Sequence, residues 1–227
     1  MTAPSGLTAP VHLTRRLTAL LPEAALAVTS PPGAAVLRLW LVADTLAHQP
    51  LAPETINALM EEPPYWSFCW ASGQVLAGWI LDNPQAVAGR TVVDVGAGSG
   101  VVALAAAQAG ARRVVACDID ADARAAVQAN AALNGLTIAT CAALEDCLHE
   151  AEVITAADIL YDRDNLGLLD VFRNGARAPA VLLADSRIHD LDPPGYEKLC
   201  AVESCTWPDL GEAHEYNQVR LFHCPAG

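Results

Sequence analysis

Apolar residues along this chain fall into short runs separated by polar and glycine-rich punctuation, and the runs alternate in kind. Thr91 to Val95, Arg113 to Cys117, Val153 to Ala157 and Ala180 to Ala184 are short and almost wholly apolar, as buried parallel strands require. Between them lie stretches with helical spacing: Gln74 to Leu81, Val101 to Gln108, Ala121 to Leu133 and a region near Leu166 to Phe172. Asp120 can N-cap the third of these, and Asn134-Gly135 can stop it. Pro193-Pro194 predicts a further helix running to about Val202, and Asn217 to His223 alternates as a last strand. Strands alternating with helices predict a doubly wound α/β sheet, with ligands held beyond the carboxyl ends of the strands at the switch point.

The first sixty residues read differently. Leu13 to Leu21 suits a short helix with Arg15 and Arg16 on its polar side, and Val36 to Val42 reads as a strand. Pro53 can open a helix to Glu61, which Pro63 and Pro64 would end. We read residues 1–62 as an N-terminal cap and residues 63–227 as the main domain.

Composition narrows the class. The chain has 227 residues, 53% of them hydrophobic and 17% charged, enough to build a core without disulfides or metal. Its formal charge of −13 repels nucleic acid and favours a basic partner. The apolar stretch Leu17 to Val28 is interrupted by Pro22 and Glu23, so no membrane span is expected. Seven cysteines, an odd number with no C-x-x-C spacing, argue against a disulfide framework and against a metal site, and fit the cytoplasm.

The sharpest local signal is Val92-Val93-Asp94-Val95-Gly96-Ala97-Gly98-Ser99-Gly100, a strand end, three alternating glycines and a helix start. Such a loop lets a ligand approach the backbone closely. Dinucleotides use it, and so does S-adenosylmethionine, which brings no phosphate. Read from Gly98, the shifted G-x-G-x-x-A with Gly100 and Ala103 leaves a nicotinamide dinucleotide open. Asp94, two residues before the first glycine, suits an ammonium group or the ordering of the loop better than a pyrophosphate. Asp118, at the end of the next strand, can accept hydrogen bonds from ribose hydroxyls in either ligand.

Pro64-Tyr65-Trp66-Ser67-Phe68-Cys69-Trp70-Ala71-Ser72-Gly73-Gln74, Asp94 to Gly100, Cys117-Asp118-Ile119-Asp120, Asn130 to Gly135 and Ala157-Asp158-Ile159-Leu160-Tyr161-Asp162 occur in that order. Together they resemble the electron transfer flavoprotein beta-subunit lysine methyltransferases, within the seven-β-strand lysine methyltransferases. The resemblance covers roughly residues 63–185. It implies a Rossmann-like class I methyltransferase sheet, S-adenosylmethionine as cofactor, and a protein substrate presenting a lysine, the electron transfer flavoprotein beta subunit among the candidates. It further implies that Trp70, Asp94, Gly96, Gly98 and Gly100 lie along the cofactor's methionine end, Asp118 at its ribose and Leu144 against adenine. Asp158 and Tyr161 would line the target channel, with Asp158 orienting the amine. Asp162 and Asp164 are equally able to cap the following helix, which leaves Asp158 freer to face a ligand. The segment Ala184-Asp185-Ser186-Arg187-Ile188 departs from the family pattern and bears on which acceptor is used. A small-molecule amine, a ribosomal protein and, in a different class, a nicotinamide-dependent oxidation are the alternatives; for the last, the chain's single lysine is Lys198, two residues after Tyr196.

Overall fold

The computed structural model describes residues 8–44, 59, 61–175, 177 and 179–227. Its centre is a seven-stranded sheet built from β3 (Thr91–Val95), β4 (Arg113–Cys117), β5 (Ala139–Cys141), β6 (Val153–Ala157), β7 (Ala180–Asp185), β8 (Glu197–Glu203) and β9 (Gln218–Cys224). The strand order is β5-β4-β3-β6-β7-β9-β8. The first five strands in that order run parallel, whereas β9 is antiparallel to both β7 and β8. The α/β sheet expected from the sequence is therefore present. Its order reverses at β3 and β6, so the switch point lies at the carboxyl ends of Val95 and Ala157.

Period-two alternation divides the core between the two faces of the sheet. Val92, Val114, Ala116, Leu182, Ala184 and Leu221 pack on one face with helices α2 (Ala71–Asp82) and α3 (Val101–Gln108). Val93, Val115, Cys117, Ile154, Val181, Leu183 and Phe222 pack on the other, with α5 (Leu144–Cys147) and α6 (Leu168–Arg173). Helix α4 (Ala121–Leu133) starts on Asp120, whose side chain accepts the Asp122 N–H at 2.8 Å.

The described N-terminal residues form α1 (Val11–Leu20) and a two-stranded antiparallel sheet of β1 (Leu26–Thr29) and β2 (Leu39–Val42). Leu13, Leu17, Leu26 and Trp40 share a core with Ala123, Ala126 and Leu133 of α4. Polar contacts fix the same contact. Arg16 Nε and His12 Nε2 meet the Asp122 carboxylate at 2.5 and 2.7 Å. Burial opposes ionisation of Asp122, but its hydrogen bonds from Arg16 and His12 hold it below the usual carboxylate range.

Four elements differ from expectation. Residues 197–203 form strand β8, not the helix expected after Pro193-Pro194, because β9 offers a free edge for pairing and Gly195 breaks the approach at φ +83°. Strands β1 and β5 were not expected; β5 has only three residues. The segment near Leu166 is 3₁₀ over Arg163–Gly167 before α6 begins. The helix expected from Pro53 to Glu61 falls almost wholly outside the described residues. Among the described residues, no helix is long and apolar enough to cross a membrane.

Candidate active site

Four loops meet at the switch point: the glycine loop after β3, the turn after β4, the segment after β6 and the entry to α2. A shallow cleft, open to solvent, lies between them. Trp70, Asp94, Gly96, Gly98 and Ala157 line it.

All three loop glycines have positive φ: Gly96 +69°, Gly98 +51° and Gly100 +81°. Two of them serve different ends. A Cβ on Gly96 would stand 2.6 Å from Ile159 Cγ2, so this position is closed by packing. A Cβ on Gly98 would meet nothing nearer than the Gly96 carbonyl oxygen at 4.0 Å, so it would project into open space in the cleft.

Asp94 orders this loop from below. In the parallel ladder it is registered with Thr155, on the face that carries α3. Its Oδ1 accepts the Thr155 hydroxyl at 2.7 Å, and Oδ2 accepts the Ala103 N–H at 3.1 Å. Helix α3 begins at a glycine that has no side chain to cap it, and Asp94 takes over that task from the neighbouring strand. Burial pushes the Asp94 carboxyl up to about 7.

Asp118 ties β4 to the same loop. Its Oδ2 accepts the Gly98 N–H at 2.8 Å and its Oδ1 the Asp120 N–H at 3.0 Å. Each oxygen keeps a lone pair for a further donor. Burial raises its pKa. Leu144 begins α5, half-buried, beyond the Cys141 carbonyl that accepts the Asp118 N–H at 3.1 Å. Asp118 and Leu144 thus flank the cleft on the β4–β5 side, outside its lining.

Asp158 corrects the orientation expected of it. It does leave the capping of the following turn to Asp162, which accepts the Asp164 N–H at 3.0 Å. Yet its carboxylate turns inward instead of opening freely onto the channel. Its Oδ2 accepts the Ser72 N–H at 3.0 Å, and its Oδ1 accepts the Ser72 and Ser186 hydroxyls at 2.6 and 2.9 Å. Trp70 occupies the N-cap of α2 and offers no capping oxygen, so Asp158 supplies one from just beyond β6. Asp158 adopts φ +53°, the one non-glycine residue in the left-handed region among the described residues.

Aromatic rings cluster beside Trp70, which lines the cleft. Tyr65 lies 5.7 Å from Trp70 and 5.5 Å from Tyr161, centroid to centroid. Trp70 is held by its indole N–H donating to the Tyr65 carbonyl at 3.0 Å. Tyr161 is exposed, and partial burial against its neighbours raises its pKa. Sequence reasoning missed the role of Arg187. Its guanidinium sits 5.6 Å from the Trp70 ring and 4.9 Å from the Tyr216 ring, and pairs with Glu212 at 2.9 Å. It also missed Ser72, Thr155 and Ser186, which carry no signal in a chain-local motif. Asp185 is fully buried; its Oδ1 accepts the Arg187 and Ile188 N–H groups, while Oδ2 has no partner among the described residues, and burial pushes it up to about 6.

The model of one protein family, Ribosomal protein L11 methyltransferase (PrmA), matches residues 79–163. The mouse electron transfer flavoprotein beta subunit lysine methyltransferase is 39% identical over 104 residues, covering 44% of this chain and 41% of that protein. Its Xenopus laevis counterpart is 38% identical over 128 residues, covering 54% and 52%. A crystal structure of a ribosomal protein L11 methylase from Lactobacillus delbrueckii subsp. bulgaricus superposes at a TM-score of 0.49 with 23% identity, covering 69% of this chain and 79% of that one. The matches span about half the length or less of the curated relatives. The family-model match runs across β3, the glycine loop and Asp118.

Proposed function

We propose that this chain is an S-adenosylmethionine-dependent N-methyltransferase that modifies lysine on a protein. One observation carries the reading: Asp118 grips the N–H of Gly98 while Gly98 opens onto the cleft beside Trp70. That arrangement fits a nucleoside joined to a flexible amino-acid arm. Asp118 has lone pairs left for the ribose hydroxyls, the bare Gly98 leaves space for the arm, and Leu144 flanks adenine. The cofactor, when bound, supplies an electrophilic methyl group on a sulfonium that is its own leaving group.

The chain's share is alignment and dehydration. The acceptor nitrogen donates its lone pair to the methyl carbon as the carbon–sulfur bond breaks. The amine must first lose a proton, since a free lysine has a pKa near ~10.4. Tyr65, Trp70 and Tyr161 give it an apolar passage, which disfavours the charged form. Arg187 over the Trp70 ring disfavours a second cation there in the same sense. Asp158 is a positioning residue: it holds the start of α2, and with it Trp70, against Ser186. Tyr161 lines the entry.

A nicotinamide-dependent oxidation fares worse. Tyr196 is buried and donates its hydroxyl to the Leu169 carbonyl at 2.9 Å, and Lys198 lies on β8 at the far edge of the sheet. The relatives' names favour the electron transfer flavoprotein beta subunit as acceptor, and the net charge of −13 suits a basic docking surface. The family-model match favours a ribosomal protein as the second candidate. The cytoplasm, where thiols stay reduced, is the compartment we assign.

The test is label transfer. Purified chain and methyl-tritiated S-adenosylmethionine are incubated with a cytosolic extract, then treated with protease or nuclease. A protease-sensitive labelled band is expected. Label confined to small molecules would replace the protein acceptor by a metabolite amine.

A further inference from the structure

Spacing along the chain hides a feature that folding creates. Cys117 is the last residue of β4 and Cys141 the last of β5, and the parallel ladder sets them opposite each other. Registered partners project to the same face of a sheet. After a short turn, Cys147 closes α5 over that face. The three sulfur atoms all lie within 4.8 Å of one another. Cys117 and Cys147 are buried and Cys141 is half-buried, so the group is reached from solvent on the Cys141 side. Among the described residues this is the one group of three or more cysteine, histidine or acidic side chains so arranged.

The dimensions suit a metal. Zinc–thiolate bonds of ~2.3 Å set three ligand sulfurs roughly 4 Å apart, within about an ångström of their separation here. Thiolates select soft cations, zinc and copper(I) before magnesium or calcium. Binding as thiolates would release the thiol protons.

We propose that Cys117, Cys141 and Cys147 form a three-thiolate site for a soft cation of the zinc or copper(I) class. The site stands apart from the methyl-transfer reading, since none of its ligands lines the cleft. It lies beside Asp118, which follows Cys117 in the chain, and Leu144 sits between the other two ligands.

The experiment uses the full, reduced chain. Zinc is titrated against a chromophoric chelator, and copper(I) against a copper(I)-specific one, to separate the two cations. Cadmium serves as the spectroscopic probe, because its thiolate charge-transfer absorption scales with the number of sulfur ligands. Cys117→Ser, Cys141→Ser and Cys147→Ser are compared with Cys200→Ser and Cys205→Ser. One equivalent of zinc or copper(I) is expected, with each cluster variant at least tenfold weaker, the cadmium band down by about a third in each, and the two other variants unchanged. Cys141→Ser changes the least buried ligand and keeps the test open if the buried variants unfold. Absence of stoichiometric uptake of either cation would overturn the proposal. So would uptake that survives Cys141→Ser or that disappears with Cys200 or Cys205.

Discussion

Asp158 and Ser72, 86 positions apart in the chain, are joined twice: one carboxylate oxygen accepts the Ser72 N–H and the other its hydroxyl. A strand-end acid thereby caps a helix that starts on tryptophan. Ser72→Ala removes the shorter bond and leaves a buried carboxylate less well satisfied, at a cost of about 1–3 kcal/mol. Asp158→Asn should cost less than Asp158→Ala, because asparagine tolerates the left-handed backbone and retains an acceptor. Chemical denaturation of the three variants tests this order. Transfer should fall with stability retained in Asp158→Asn, since the Trp70 wall is displaced before the fold is lost.

Asp118 is expected to govern cofactor affinity. Asp118→Ala removes an ionised acceptor and leaves the Gly98 N–H without its partner. Hydrogen bonds to charged groups contribute about 1.5–3 kcal/mol, so affinity for S-adenosylhomocysteine should drop by about 10- to 150-fold. Calorimetric titration measures it directly. An unchanged affinity would remove Asp118 from the site.

The two glycines should separate stability from binding. Gly96→Ala forces a methyl group against Ile159 and should lower the unfolding midpoint sharply. Gly98→Ala carries the left-handed backbone cost of about 1–2 kcal/mol and little steric cost, yet it fills the cleft. Its loss should appear mainly in cofactor affinity. Parallel melting curves and titrations distinguish the pair.

Asp94 predicts a pH dependence of stability. Its folded pKa, about 7, lies above the unfolded carboxylate value of ~3.9. The folded chain therefore holds a proton that the unfolded chain releases, and stability from this group is lost as pH rises from about 4 to about 7. In Asp94→Asn that slope should be shallower, with the part due to Asp185, pushed up to about 6, remaining. Thermal melts of both proteins across this window measure the difference.

Much of this frame was legible in the sequence, and the reasons are local. Strands β3, β4, β6 and β7 are mostly apolar because nearly all of their residues are buried, and Asp120 announces the start of α4. Strand β8 was misread because it is mostly exposed: its residues obey no alternation, and only pairing with β9 makes it a strand. Asp94, Asp118 and the glycine loop could be named because they lie within one β-α-β unit. The capping of α2 by Asp158, the Thr155 bond to Asp94 and the stacking of Arg187 could not. Each joins residues brought together by sheet order, and no periodicity records that.

The most direct measurement is tandem mass spectrometry of an acceptor protein after incubation with the chain and methyl-deuterated S-adenosylmethionine, using the electron transfer flavoprotein beta subunit first and ribosomal protein L11 second. The account predicts deuterated methyl groups on a defined lysine side chain, sharply reduced by Asp118→Ala at subsaturating cofactor. Methyl groups on no lysine of either protein, with cofactor binding intact, would contradict it.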